Sequence, residues 1–347
     1  MTMKFGIAFG QDVRIGEAAE YAKAAEDAGF SHVTFVDMGN LATDVNVTMT
    51  VALMGTERIA VGHGVTDPIM FHPGTIGGAV ATMRELAGDR VFVGLGVGGP
   101  YGKPFIRSAK VAELQEAVTF LKQYTAGETA SFGGNSWHNE WIRRSSYNGK
   151  GVPVTVAICG PKTCLAAGAS ADGVLSIGMD ASLQRWRKDL VSRGATEAGR
   201  DPDQIDFWVR TQVYIAESKE AAFEELAPYA ATSAWELWKV LRRETPDTVA
   251  LAKQIDEAHP GLLAELEAVY DNWDPYWTER IGGPQTKVLT QRVVDFFLAS
   301  GTPDDVREQL AAVDQVGITG ASIVTYSVRN LHEMIGRLSD ELINQPV

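Results

Sequence analysis

The sequence predicts an α/β fold: a (β/α)8 TIM barrel, residues 1–347 as one domain, with a helical insertion between strands seven and eight. Three observations predict it. Short apolar runs alternate with helix-period segments along the 347 residues, the pattern of parallel strands joined by helical crossovers. The stretch Arg58 to Tyr101 holds two apolar runs, Ile59 to Gly64 and Val91 to Gly96, flanking a helical pattern from Thr75 to Leu86 with Pro73 just ahead of it. That is a βαβ unit, whose connection is right-handed almost without exception. Both of its strands end in glycine-rich sequence, GHGVTDP and GLGVGGP, where a flat ligand can approach the main chain with no Cβ in the way.

A competing reading is set aside on chain chemistry. Gly94 to Gly99 fits G-x-G-x-x-G, but the dinucleotide fingerprint needs its glycines to open a helix. Pro100 and Pro104 follow, a spacing that a helix interior rejects, and the motif comes after the fourth strand rather than the first.

In chain order, Lys4 to Phe9 reads as strand one and Ile15 to Ala28 as a helix closed by Gly29. His32 to Val36 is strand two, reaching Asp37-Met38-Gly39, and a helix through Val45 to Met54 leads into the βαβ unit. Val111 to Tyr124 places Leu114, Val118 and Leu121 on one helical face. Ala126 to Gly151 is polar, glycine-rich and aperiodic, and reads as an inserted loop. Val154 to Ile158 is strand five, followed by CGPK and a small-residue helix, Thr163 to Ala169. Gly173 to Ile177 is strand six, Leu183 to Arg193 a helix, Phe207 to Ile215 strand seven, Ala321 to Val324 strand eight, and Leu331 to Leu342 the closing helix.

The segment 216–300 is too long for an ordinary βα connection. It carries helical patterns and Trp235, Trp238, Trp273 and Trp277, and it leaves the C-terminal end of a strand, so it falls on the active-site face as a lid or side wall. Thr302 as N-cap with Pro303 at the first helical position then restarts the barrel.

A net charge of −13 and a pI near 5.0 argue against nucleic acid or an anionic membrane as partner. No apolar run is long enough to span a bilayer, and the N-terminal MKFGIAF enters a strand without the basic region of a signal peptide. Cys159 and Cys164 are spaced for neither a disulfide nor zinc, so a reducing, cytoplasmic setting is expected. No tight metal-ligand set is present, and His63 with His72 does not make one, so no metal is expected.

Three segments carry a resemblance: GVTDPIMFHP with its helix and GLGVGG; VAICGPKTCLAAGASADGVL; and FFLASGTPDDVREQLAAVDQVGITGASIV. Through them the chain resembles the bacterial luciferase-like superfamily, and within it the deazaflavin-dependent branch of methylenetetrahydromethanopterin reductase. The resemblance covers most of the barrel and neither the insertion nor the Ala126 to Gly151 loop. It implies a flavin or deazaflavin over the C-terminal mouth, and a non-prolyl cis peptide at the strand-three bulge that motif places at Gly64-Val65. It implies hydride transfer between coenzyme F420 and a small organic substrate; the alternatives are a monooxygenase using reduced FMN and oxygen, and a flavin-binding barrel without turnover. It further implies a homodimer, and a separate flavin or F420 reductase if the cofactor serves as a cosubstrate. The chain departs from the branch in having Asp37-Met38 in place of Asp-His, Gly99-Pro100-Tyr101 where the reductases carry an acid, and Cys159 where they have glutamine. The cofactor cradle is thus expected to persist while the substrate chemistry does not transfer.

The expected cofactor-binding residues are Gly62, His63, Gly64, Val65 and Thr66 on the bulge, with Gly96, Gly98 and Gly99 after strand four. They continue with Ala157, Ile158, Cys159, Gly160 and Pro161 at the next strand end, where a helix N-terminus faces an anion or a ring carbonyl, and with Ser176, Ile177 and Gly178 as backbone donors to a phosphate. Candidate catalytic groups are His63 as acid, base or orienting group, Asp37 at the end of strand two, and Tyr101 near the ring. Against each stands an ordinary role: a satisfied structural histidine, a cap or salt bridge, a pocket wall. Cys159 reads as packing rather than nucleophile. Lys103, Arg107, Lys110 and Lys162 are placed to meet an acidic cofactor tail, and four tryptophans at a mouth raise an aromatic-walled substrate site against the ordinary core role.

Overall fold

The computed structural model describes residues 3–98, 107–144, 150–278, 280, 282–325 and 330–344. Eight parallel strands close into a barrel: Lys4–Phe9, His32–Phe35, Ala60–His63, Val91–Leu95, Val154–Ile158, Gly173–Ile177, Asp206–Thr211 and Gly320–Val324. Strand one closes the ring by pairing with strand eight, Ile7 opposite Ile323, and with strand two, Ile7 opposite Val33.

Alternation along each strand divides two cores. His32, Phe92 and Trp208 come from strands two, four and seven, yet their rings meet edge to face, at 5.8 and 4.5 Å from His32, so they lie inside the barrel. Gly6 leaves room there, since a Cβ on it would sit 2.1 Å from the His32 ring. The alternate residues, among them Ile7, Val33, Val61, Val93, Val174, Val209 and Ile323, point outward beneath the helices and are fully buried. Each such side chain contributes roughly 1.5–3 kcal/mol.

Glu26, buried in the first helix (Ala18–Asp27), anchors the start of strand three. One of its oxygens accepts from the backbone N–H groups of Glu57, Arg58 and Ile59. Burial pushes its carboxyl up, the three N–H bonds and the Arg58 charge pull it down, and the net value is lowered to about 2.

Two expectations about elements are corrected. Strand seven does not run on to Ile215: it leaves the barrel after Thr211, and Val213–Ile215 pairs instead with Ala299–Gly301. The Ala126 to Gly151 loop contains a hairpin, Ala130–Phe132 against Asn135–Trp137, whose three-residue strands are too short to show a period. The restart at Thr302 is as expected, its hydroxyl accepting from the N–H of Asp305 with Pro303 opening the helix.

The insertion consists of helices Lys219–Leu241, Pro246–Ala258, Leu262–Asp271, Pro284–Lys287 and Gln291–Phe297. It packs on the C-terminal ends of strands five and six: Val240 faces Gly160, and His259 bonds Asp180 at 2.8 Å. Among the described residues, no helix is long and apolar enough to cross a membrane.

Candidate active site at the barrel mouth

The ends of strands two, three and four are fastened together by the backbone of the GVTDP bulge. Gly64 N–H donates to the Phe35 carbonyl at 2.7 Å. Thr66 N–H donates to Gly94 and its carbonyl accepts from Gly96 N–H, each at 2.9 Å. The Gly64-Val65 peptide is cis, at the bond the motif singled out. The Thr66 hydroxyl donates to Asp37 at 2.6 Å, so this buried carboxylate holds the bulge in place. Asp67, next in the motif, caps Ile69 and Met70 and lies against Gly98, whose φ of +68° suits glycine.

Beside the bulge the inward surface is nearly bare of side chains. A Cβ on Gly96 would meet Val65 at 3.0 Å and the Ala157 methyl at 3.7 Å. The helix Pro161–Ser170 begins one step further round, with Gly160 as N-cap and Pro161 in its first turn. Its N-terminus is braced locally: Cys159 N–H donates to the Thr163 hydroxyl, which in turn donates to the Gly160 carbonyl. Burial pushes the Cys159 thiol up, so it stays protonated at neutral pH and is a packing group. A flat floor of Val65, Thr66, Gly96, Gly98 and Ala157, beside a helix N-terminus at Gly160, fits a planar heteroaromatic ring with a polar edge.

Several expected site residues are placed elsewhere. Gly62 lies inside the barrel, where a Cβ would strike the Phe92 ring at 2.5 Å. His63 alternates outward from it, is 2% exposed, and shares a 3.2 Å hydrogen bond with Asn46 of the helix Val45–Met54. Burial lowers its pKa to about 4, against the Phe92 carbonyl and Asp44, so the imidazole is neutral at pH 7 and is not a proton donor to the mouth. Ile158 points to the helix layer and is buried.

The end of strand six is committed to internal partners. Ser176 turns outward, donating to Gln184 at 2.6 Å and accepting from Arg187 at 2.9 Å. Gln184 and Arg187 also bond the Ile177 carbonyl, Gln184 the Gly178 carbonyl, and Arg187 the Cys159 carbonyl. Gly178 and Met179 N–H groups are taken by the Arg210 and Phe296 carbonyls. A phosphate would find these donors already bonded, so Ser176 and Gly178 belong to a clamp between strands five and six, while Ile177 gives its carbonyl to the clamp and lines the smaller of two cavities at the mouth. The buried Arg187, 2% exposed, is the residue sequence reasoning missed; the signal was its spacing, four after Leu183 and three before Leu190, which puts a charged residue on the apolar face of the helix.

Gly99, Tyr101 and Lys103 lie outside the described residues. Arg107 makes a two-pronged pair with Glu113, at 2.8 and 2.7 Å, which leaves Lys110 and Lys162 as the described cations of the expected set without such a pairing. The tryptophans pack within the insertion: Trp235 stacks on Trp273 at 4.7 Å, and Lys239 sits 3.9 Å over it. Two neighbouring cavities, of about 100 and 350 Å³, share Gln212, Tyr229 and Val324 in their walls, and tyrosine rather than tryptophan lines them. Among the described residues, no cluster of three or more His, Cys, Asp or Glu side chains could hold a metal ion.

An eight-stranded parallel barrel with a glycine-floored cradle at the C-terminal ends of its strands carries its candidate site on the face where (β/α)8 enzymes have theirs. More specifically, the chain belongs to the luciferase-like monooxygenase family, whose model matches residues 3–320. It is 27% identical over 326 residues to the 5,10-methylenetetrahydromethanopterin reductase of Archaeoglobus fulgidus, covering 91% of this chain and 92% of that one. It is 27% identical over 277 residues to the F420-dependent hydroxymycolic acid dehydrogenase of Mycobacterium tuberculosis, covering 76% and 73%. The fold matches that of the coenzyme F420 dependent tetrahydromethanopterin reductase from Methanopyrus kandleri with a TM-score of 0.71, at 21% identity over 99% of each chain. The chain is an oxidoreductase of this family.

Proposed function

We propose that the protein binds coenzyme F420 over the cradle and transfers a hydride between it and a small organic substrate. The observation that carries the reading is the fastened bulge: backbone bonds among Phe35, Gly64, Thr66, Gly94 and Gly96 hold Val65, Gly96 and Ala157 as a floor free of large side chains. The F420 dependence of the mycobacterial relative points to the deazaflavin. When bound, the deazaflavin supplies the hydride-accepting or hydride-donating carbon, C5. The chain's part is to orient the ring on Val65, Thr66, Gly96, Gly98 and Ala157, with Asp37 holding Thr66 in register from behind. Gly160 and Pro161 offer the start of a helix to a ring carbonyl or a phosphate. The insertion, in this reading, covers the mouth and keeps water from the reacting carbon, within a single domain.

The family's description favours a second reading, a monooxygenase using reduced FMN and oxygen. Calorimetry of both cofactors at low and high salt separates the two. Coenzyme F420 should bind more tightly than FMN, and less tightly as salt rises, because Lys110 and Lys162 would meet its acidic tail and such pairing is screened over about 8 Å at physiological strength. Micromolar FMN binding with none for F420 moves the enzyme to the monooxygenase class. A homodimer belongs to the same proposal; the helices Val45–Met54 and Pro73–Ala87 expose Val47, Met54 and Leu86, and sedimentation velocity would detect a dimer. A separate F420 or flavin reductase is needed only if reduced cofactor is consumed as a cosubstrate.

A further inference from the structure

The segment that follows the GVTDP bulge is held from outside the barrel. Asp67 caps Ile69 and Met70 at its near end, and His72 closes it as N-cap of the helix Pro73–Ala87. His72 Nδ1 accepts from the Gly74 N–H at 3.0 Å, and its carbonyl accepts from Thr75 and Ile76. A Cβ on Gly74 would press on that ring nitrogen at 3.1 Å, so the glycine makes room for the cap. Accepting at Nδ1 leaves the proton of the neutral ring on Nε2.

Histidine is an unusual choice for this duty, since serine, threonine, aspartate and asparagine cap with fewer atoms. Here the remaining ring atoms find partners. The His72 ring centre lies 5.3 Å from those of Phe132 and Trp137 on the inserted hairpin, and 6.0 Å from that of Phe120 in the helix Val111–Thr125. These are the separations of attractive aromatic pairs. The hairpin is itself tied to that helix: the Phe120 and Phe132 rings are 6.2 Å apart, and the Glu116 carboxylate accepts from the Gly133 N–H at 3.1 Å. Trp137 is 45% exposed and lies outside the buried core, so its ring does not serve the barrel interior.

Residues 67–72 are thus fixed at both ends, by the backbone bonds of the bulge at one and by the His72 ring at the other. Ordering a segment in advance removes an entropic cost that a ligand on the neighbouring bulge would otherwise meet. Resting on the reading of the cradle as a cofactor site, we propose that His72 is a positioning residue for the cofactor and that the inserted hairpin acts on the cradle through it. The cap orients the start of the helix, the ring seats it against the hairpin, and the bulge is held in register without either group touching the ligand.

The test uses the full-length protein with and without F420, and reads cofactor affinity by calorimetry and hydrogen exchange at the Ile69, Met70 and Gly74 amides. His72→Asn keeps an acceptor and His72→Phe keeps a ring, so each should weaken F420 binding by about threefold, and His72→Ala, which keeps neither, by about tenfold. Exchange at Gly74 should quicken in the phenylalanine and alanine variants and least in the asparagine one. Trp137→Ala should weaken binding by about threefold and quicken exchange at all three amides, and it should add nothing in a His72→Ala background because it acts through the histidine. If His72→Ala fails to fold by circular dichroism, His72→Asn takes its place in the double variant. Wild-type affinity in Trp137→Ala, or losses that add in the double variant, as expected of two unconnected structural residues, overturns the proposal. If no protein binds F420, quickened exchange in Trp137→Ala sustains the brace and refutes the cofactor reading alone, and unchanged exchange refutes both.

Discussion

Replacing Gly64 by alanine should destabilise the barrel itself before it affects any ligand. An added Cβ would sit 2.4 Å from the Thr34 hydroxyl oxygen and 2.7 Å from the Thr34 Cβ, both well inside van der Waals contact. Rotating Thr34 can move the hydroxyl and leaves the Cβ where it is. Strand two cannot retreat either, because Thr34 and Phe35 are in register with Gly62 and His63. Overpacking of this kind costs roughly 1–3 kcal/mol, and a clash with a backbone-fixed Cβ belongs in the upper half of that range, about 2 kcal/mol. The assay is urea unfolding of Gly64→Ala, Thr34→Gly and the double variant. Thr34→Gly removes both clashing atoms, so the pair should be non-additive by about 1 kcal/mol or more in the rescuing direction. Cofactor titration of the rescued double variant then tests the cradle apart from the fold. An unchanged unfolding midpoint for Gly64→Ala, or strict additivity in the cycle, would refute the reasoning. The missing Cβ of Gly64 points at strand two.

Other outcomes follow from buried polar groups. His32 and His63 have pKa values lowered to about 4 by burial, against an ordinary value of 6.5. The unfolded chain therefore binds more protons, and stability present above pH 6.5 is lost as pH falls toward 4. Linkage gives roughly 2 kcal/mol per histidine by pH 5, read from urea midpoints at pH 7 and 5, and His63→Gln should flatten that slope. Glu26, held at about 2 against an ordinary 4.5, contributes stability above pH 4.5 that disappears as pH falls through 2. Glu26→Gln should cost about 2–3 kcal/mol at pH 7 and abolish that acid limb; a variant as stable as wild type would mean the three N–H bonds contribute nothing net. Arg187→Met leaves the Ser176, Ile177 and Cys159 acceptors with fewer donors, so a loss of about 2–4 kcal/mol in urea unfolding is expected, with weaker cofactor binding by titration because the Cys159 turn loosens.

The barrel was legible in the sequence because burial is periodic and local. Strands one, five and six run over the expected residues, and the Thr302-Pro303 restart is a matter of backbone donors within one turn. The bulge was legible because its glycines record where a Cβ is forbidden, though the sequence does not say what forbids it: at Gly62 the Phe92 ring, at Gly64 Thr34, at Gly94 the His63 carbonyl. What tertiary structure alone decided is which polar atoms are already bonded. Ser176 looks like a phosphate donor in one dimension, but strand alternation turns it outward onto Gln184 and Arg187. His63 looks like a mouth histidine, but one step of the same alternation sends it to Asn46. Gln212 looks like one more residue of an unbroken strand, but the chain kinks there and pairs with a segment more than eighty positions later. Periodicity determines which face is buried, whereas contacts between distant segments depend on register and ring closure, which exist only once the barrel has formed.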